Sequence, residues 1–372
     1  MSTESAPFRI GLLGHGTVGA AFEKLLEQRA DHVAAATGLR PEISGVLTRS
    51  RGDFDEILFG CDLVVELIGG LEPARDYVLR AMRAGKHVVT ANKQLLSQHG
   101  EELWGVAREC EVQLRFEAAV AGVVPVIRVL QESLAAAHID RVHGIVNGTT
   151  NFILSEMART GCSYEEALAD AQRMGYAEAD PSEDVNGKDA AAKMAIIARL
   201  AFDTPVHLDQ VTFEGIEQIT ADDMVHAHGP FNAVTVESEA ITEITMSGPG
   251  AGGPQTASAV LGDVVSAMIP PASTPETTQS LEIVDDVESS FYLHMEVADR
   301  PGVLAQVALV LGEQGASIKS VVQKGLGERA RLVMVVHPVL ESRFFAAVEQ
   351  IAALDFMRSR PRAIRVIDEE FV

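Results

Sequence analysis

The 372-residue chain is short of cysteine, of tryptophan and tyrosine, of positive charge and of long apolar runs. Its three cysteines, Cys61, Cys110 and Cys162, are odd in number and show no CxxC spacing. That argues against a disulfide framework or a zinc site, and a reducing cytoplasm is the compartment expected. Lys and Arg total 30 against 53 Asp and Glu, a formal net charge of −23. Nucleic acid or an anionic membrane surface would need a basic patch, whereas here acids run along the whole chain, so neither is expected as a partner. No apolar run approaches membrane-spanning length. The start, "MSTESAPFRIG", lacks the basic residues and apolar core of a signal peptide. What is present, 47% hydrophobic residues over this length, fits a globular protein of two or three domains.

Strands alternate with helices in the first part. "FRIGLLG" is an apolar strand running into glycines, and "AAFEKLLEQRA" behind it has helical spacing. "EISGVLT", "CDLVVELIGG" and "GKHVVTANK" read as buried strands with the helix "EPARDYVLRAMRAG" between the last two, and "VQLRFEAAV" adds a strand near residue 115. This order predicts βαβ units and a parallel sheet. From His138 the texture becomes mixed: a strand in "HIDRVHGIVNG", helices in "TTNFILSEMART" and "SYEEALADAQRMG", a further helix after Asp184, strands through "FNAVTVESEAITEITMSGPGAGG", and a helix over 256–268. "IPPASTPETTQS" has the composition of a linker. Beyond it Phe291, Leu293, Met295 and Val297 alternate on one strand face, Pro301 suits a first helical turn and Gly315 a helix end, and the order βαββαβ is ferredoxin-like.

Gly14, Gly16 and Gly19 form G-x-G-x-x-G between a strand and a helix. One glycine makes the tight turn, one admits a pyrophosphate to the backbone, and one lets helix pack on strand. The second strand ends in "VLTRSR", with no acid to hold a ribose 2′-hydroxyl; Arg49 and Arg51 suit a 2′-phosphate, against the plainer reading of two exposed arginines.

At "GTVG", "VVELIGG", "HVVTANK", "FEAAVAG", "GIVNGTTNFIL", "MGYAEADPSEDVNGKDAAAK" and "GPGAGG" followed by "TASAVLGDV", the chain resembles homoserine dehydrogenase. Residues 291 to 368, with "DRPGVLAQVALVLGEQGASI", resemble an ACT domain. The resemblance implies an α/β chain: a Rossmann-type NAD(P)-binding domain over 1–137, with helix 256–268 packing back on it, and an α+β substrate and dimerisation domain over 138–268. A linker over 269–288 and a ferredoxin-like ACT domain over 289–372 would follow. It implies reversible reduction of aspartate 4-semialdehyde to homoserine with NADP, or NAD, and a homo-oligomer (dimer or tetramer). An amino-acid effector, threonine as first guess, would bind the ACT domain, where Gly315, Ala316 and Ser317 lie at the usual ligand position; a helix cap is the plainer reading. Gly14, Gly16, Thr17, Val18, Gly19, Arg49, Gly69 and Lys93 would lie along the cofactor, and Gly175 and Gly250 would approach its nicotinamide end. Glu178 would take the substrate ammonium, Asp184 and Asp189 would surround the substrate, and Lys193 would be the catalytic acid/base. Glu117, Val120, Gly122 and Val124 match a monovalent cation site, usually sodium, built mostly of carbonyls.

Local sequence is less generous. Asp189 and Lys193 are spaced i, i+4, and by itself that spacing describes a surface ion pair. Met194, Ile197, Leu200 and Ala201 alongside make partial burial plausible, and a buried pair is costly to keep without a purpose. A cysteine-dependent semialdehyde dehydrogenase is disfavoured, because Cys110 has no evident His partner. His226 and His228 in "HAHG" point apart on a helix and make a poor metal pair. Where the family continues for several dozen residues after "VTFEGIEQITADDMVHAHG", Gly229 here meets Pro230 and "FNAV" directly, so the substrate domain is expected to be shortened. That leaves an amino-acid sensor with an impaired catalytic part as the alternative reading.

Overall fold

The computed structural model describes residues 5–220, 231–238, 242–250, 252–269, 281–324 and 330–366. His226, His228, the Gly229–Pro230 junction and most of the linker lie outside the described residues. The chain divides into two compact units, 1–281 and 282–372, so the boundary expected at 137 falls inside the first unit.

The first unit opens with β1 (Ala6–Leu13), α1 (Thr17–Thr37), β2 (Leu39–Leu47), α2 (Phe54–Gly60) and β3 (Leu63–Glu66), then α3 (Ala74–Arg83), β4 (His87–Thr90), α4 (Lys93–Glu109) and β5 (Leu114–Arg115). The strands form one parallel sheet in the order β2-β1-β3-β4-β5. The order reverses between β1 and β3, the switch point where such sheets take ligands in a crevice beyond the carboxyl ends of the strands. β3 is buried along its whole length, which explains its unbroken apolar run.

Helix α1 outruns the sequence reading, which stopped near Ala30. Val33 and Ala34 carry the buried stripe onward, and Gly38 ends the helix in the left-handed conformation with its N–H on Ala34 O. Two helices were passed over altogether. The Asp53 carboxylate caps α2, accepting from Asp55 and Glu56 N–H, and the Asn92 side chain caps α4 through Leu95 N–H.

A 3₁₀ turn (Glu117–Ala119) and α5 (Val126–Arg128) lead to a second, antiparallel sheet. It orders β6 (Arg141–Ile145), β7 (Phe231–Ser238) and β8 (Thr242–Pro249), with β7 central. Between β6 and β7 come α6 (Gly148–Thr160), α7 (Tyr164–Met174), α8 (Ser182–Val185) and α9 (Lys188–Phe202). Helix α10 (Gly253–Ala267) starts three residues before the expected Thr256, because Pro254 occupies its first turn. Its Ala257, Val260 and Val264 share a core with Ile10, Leu12, Phe22 and Leu26 of the nucleotide-binding half.

The second unit contains β9 (Glu288–Val297), α11 (Val303–Glu313), β10 (Ile318–Lys324), β11 (Ala330–Leu340), α12 (Glu341–Ala352) and β12 (Arg362–Val366). The antiparallel order is β10-β11-β9-β12. Phe291, Leu293, Met295 and Val297 all face its core, with Phe344 of α12 stacked on Phe291 at 4.0 Å. One expectation needs correcting: Pro301 is not in the helix. Gly302, left-handed at φ +96, caps α11, and the helix begins at Val303.

Candidate active site

The crevice at the sheet reversal is lined by two glycine turns. Gly14 follows β1, and its N–H donates to Leu47 O at 2.9 Å. A Cβ on Gly14 would stand 2.6 Å from Leu67 O, and one on Gly19 would stand 2.3 Å from Gly14 O, so neither position accepts a side chain. Gly16, by contrast, faces open space, which is where a pyrophosphate approaches. Thr17 and Val18 open α1, whose N-terminus has no side-chain cap and no acid in its first turn. Its free N–H groups and positive dipole end are left for an anion. Arg49 lies exposed on the turn closed by Thr48 N–H to Arg51 O at 2.8 Å, directly after β2. Neither it nor Arg51 pairs with an acid among the described residues.

Gly69, left-handed at φ +76, sits across the crevice. Its turn is held from below by Glu66, a carboxylate with no exposed surface. Glu66 Oε1 accepts from the N–H groups of Ile68 and Gly69 at 2.8 and 3.1 Å, and Oε2 accepts from Thr90 Oγ1 at 2.6 Å. The sequence reading missed Glu66; the signal was an acid inside an apolar strand run. Asn92 braces the same turn, donating from Nδ2 to Gly70 O at 2.6 Å.

The charged stretch at 178–193 meets the start of α4 through Lys93 and Gln94. Asp189 is only 2% exposed and is bound by two lysines: Lys93 at the first turn of α4 through Oδ1, and Lys193 one helical turn away through Oδ2 at 2.7 Å. The surface pair that the local spacing describes is therefore buried. Burial pushes the Asp189 carboxyl up, but the two ammonium groups outweigh it and hold the group below the usual carboxylate range. Burial lowers the Lys93 ammonium, yet Asp189, with Asp184 and Glu183 behind it, keeps it above its ordinary value. Lys193 Nζ also donates to Val146 O at 2.8 Å. Two of its three hydrogens are thus placed by protein, and one is free to face a ligand.

Asn147, which the sequence reading left out, ties the acids together. Its Nδ2 donates to Asp184 Oδ1 and Asp189 Oδ2, both at 2.7 Å. Beside it Gln94 Nε2 donates to Glu183 at 2.9 Å, and Lys188 pairs with the same carboxylate at 3.1 Å. The other expected site residues stand apart from this network. Gly175 ends α7 in the left-handed conformation, Glu178 is exposed, and its carbonyl, not its carboxylate, accepts from Gln172 Nε2 at 3.1 Å. Gly250 lies under the buried Asn232 amide, which would meet any added Cβ within 2.6 Å.

Glu117, Val120, Gly122 and Val124 form a tight buried loop in which Ala121 and Gly122 are both left-handed. Gly122 packs against the carbonyls of Gly250 and Pro249. The Glu117 carboxylate is occupied by the N–H groups of Ile127 and Arg128, both at 2.9 Å, and burial pushes it up. Asp263 of α10 accepts from Glu117 N–H at 2.7 Å, and burial pushes its carboxyl up to about 7. Among the described residues no three His, Cys, Asp or Glu side chains are grouped to hold a metal ion. No described helix is long and apolar enough to cross a membrane.

Known proteins give the same outline. A homoserine dehydrogenase NAD-binding domain model matches residues 14–117, the homoserine dehydrogenase catalytic model matches 125–229 and 222–265, and an ACT model matches 291–356. The homoserine dehydrogenase of Corynebacterium glutamicum is 40% identical over 422 aligned positions, covering 96% of this chain and 95% of that protein. That of Pseudomonas aeruginosa is 36% identical, covering 97% and 99%. Among solved structures, the homoserine dehydrogenase of Thiobacillus denitrificans matches with a TM-score of 0.91 at 34% identity, covering 97% of this chain and 98% of that one. The 422 positions exceed the chain's 372 residues, so relatives carry residues with no counterpart here. The two pieces of the homoserine dehydrogenase match overlap over residues 222–229, "DDMVHAHG", just before "FNAV". With a nucleotide-binding domain, a catalytic domain and an amino-acid-binding ACT domain matched in order along nearly its whole length, the chain belongs to the homoserine dehydrogenase family of oxidoreductases.

Proposed function

We propose that the chain reduces aspartate 4-semialdehyde to homoserine reversibly, with Lys193 as the acid/base. The observation that carries this is the buried Asp189 carboxylate, fixing Lys193 with one N–H left for a substrate oxygen. When bound, the reduced nicotinamide supplies hydride to the aldehyde carbon. The Lys193 ammonium then stabilises the negative charge growing on the oxygen and donates its free proton to it, an effect of about 10²–10⁴-fold. In the reverse direction the neutral amine takes the hydroxyl proton. Asp189 and Val146 O hold the amine still, and Lys93 neutralises the second carboxylate oxygen. Glu178, exposed and clear of the network, would receive the substrate ammonium, with Asp184 and Asp189 around the substrate.

The cofactor we assign is NADP, with NAD as the weaker substrate. Open space at Gly16, the uncapped start of α1 and the unpaired Arg49 and Arg51 beyond β2 suit a dinucleotide carrying a 2′-phosphate. Gly14, Thr17, Val18, Gly19, Gly69 and Lys93 would line it, with Gly175 and Gly250 toward the nicotinamide. A monovalent cation, sodium by preference, fits the 117–124 loop through main-chain carbonyls of Glu117, Val120, Gly122 and Val124, since the Glu117 carboxylate is already bonded. The lobes 1–137 and 138–268, a homo-oligomeric assembly, a cytoplasmic setting for the free thiols, and threonine as the ACT effector near Gly315 to Ser317 belong to the same reading.

A steady-state assay with NADH and NADPH, each with and without threonine, tests it. Semialdehyde-dependent oxidation that is faster with NADPH and reduced by threonine is expected. Dinucleotide binding without turnover would favour the sensor reading instead.

A further inference from the structure

Asn147 occupies a position where four separate demands meet. It is 5% exposed and stands at the N-cap of α6, with extended backbone. Its Oδ1 accepts from Thr150 N–H at 2.8 Å and from Thr150 Oγ1 at 3.0 Å, which satisfies both lone pairs. Its two Nδ2 hydrogens go to Asp184 Oδ1 and Asp189 Oδ2. The neighbours dictate which end is which: a reversed amide would set an oxygen against two carboxylates and an NH₂ against a helix N–H. The residue before it, Val146, gives its carbonyl to Lys193. One short stretch of backbone therefore fixes both the ammonium of Lys193 and the carboxylate that anchors it.

Capping alone does not require asparagine. Serine, threonine and aspartate serve the N-cap as well. Only an amide offers one acceptor end to a helix and two donors to a pair of acids. Asp184 and Asp189 come from different helices, α8 and α9, and would repel each other if brought together without donors between them.

We propose that Asn147 is a positioning residue of the reaction, acting through Asp189 and Asp184 to set the direction of the Lys193 ammonium. The proposal rests on Lys193 and Asp189 being the reacting pair. It adds that their alignment is imposed from α6, an element that contributes no charged group to the network.

Two variants separate this role from capping. Asn147→Ser keeps the cap and loses both donors; Asn147→Asp keeps the cap and turns a third carboxylate toward Asp184 and Asp189. The charged groups of this network are Asp189, Lys188 and Lys193 of α9, Asp184 and Glu183 of α8 and Lys93 of α4, and the charge added by Asn147→Asp falls among them. In the full chain, Asn147→Ser is expected to lower kcat about 10- to 100-fold with NADP affinity unchanged. Asn147→Asp is expected to move the pH profile of homoserine oxidation toward higher pH, because added negative charge favours cationic neighbours. NMR of ¹³Cε-labelled lysine reads the same titration without needing turnover, and Asn147→Ser carries the test if the aspartate variant does not fold. A pH profile and lysine titration unmoved in Asn147→Asp, or kcat within about twofold of the parent in Asn147→Ser, would overturn the assignment. Lys193→Ala, run in parallel, separates the levels: near-parental turnover in that variant removes the reacting pair itself, whereas its loss beside unaffected Asn147 variants removes only Asn147.

Discussion

Asp189 is a carboxylate withdrawn from water between two lysines, and the stability of that arrangement depends on all three charges. Removing one partner leaves another buried and uncompensated, a loss of about 3–5 kcal/mol in comparable sites. The consequence for catalysis is sharper than for folding, since Lys193, held by Asp189 and Val146 O, keeps an N–H for a ligand. Lys193→Ala is expected to reduce turnover about 10²- to 10⁴-fold while leaving dinucleotide binding in place, read by stopped-flow and by nucleotide fluorescence. At the other end of the crevice, Gly19→Ala sets a methyl group 2.3 Å from the Gly14 carbonyl. Backbone must shift to admit it, so a loss of about 1–3 kcal/mol in unfolding free energy is expected, together with weakened nucleotide binding. Unaltered denaturation and affinity would show that the turn has slack. These residues divide by how they could be read in advance. The glycines advertise themselves by spacing, whereas Asn147 and Glu66 act through partners distant in sequence, Asp184 and Asp189 for one and Thr90 for the other. An asparagine before "GTT" reads as a cap and nothing more.

Elements show the same division. Strands β1, β3 and β4 were legible because two-sided burial writes an unbroken apolar run. Helices α2 and α4 were not: α2 is seven residues long, and α4 opens with "KQLLSQHGEE", whose polar residues hide its buried stripe at Leu95, Leu96 and Leu103. What the unread α4 concealed was a pairing, since that helix delivers Lys93 to Asp189 and Gln94 to Glu183. The narrow outer strand pair makes a pH-dependent prediction. His87 Nδ1 accepts Gln113 N–H at 3.0 Å where β4 meets β5. Burial, with Arg115 beside it, depresses this imidazole below its ordinary value of 6.5. The unfolded chain therefore takes up the proton first, so stability falls as pH drops through about 6.5 toward the native value. His87→Asn can still accept the N–H, and is expected to flatten the thermal midpoint between about pH 7 and pH 5. Parallel curves for parent and variant would exclude the histidine as a cause.

At the scale of the whole molecule, the second sheet of the first unit has three strands among the described residues. β6 and β8 pair only with β7 among the described residues, which leaves two strand edges unpaired. Yet every member of the Lys193 network lies before the junction at 229, on β6–α6, α8, α9 and α4. The shortening expected near 229 therefore leaves the residues of that network in place. Light scattering is expected to give at least twice the mass of one chain, and a strictly monomeric protein would place the loss in the dimer surface. The order of the domains was legible because each carries its own motif blocks; the charge network was not, because it is assembled from four elements spread over about a hundred residues. The most direct measurement is homoserine-dependent reduction of NADP by the full chain and by Lys193→Ala, with nucleotide binding followed in both. Turnover in the parent, its collapse in the variant and equal nucleotide affinity are the expected result; comparable turnover in the two proteins would contradict the assignment of Lys193 as the proton donor.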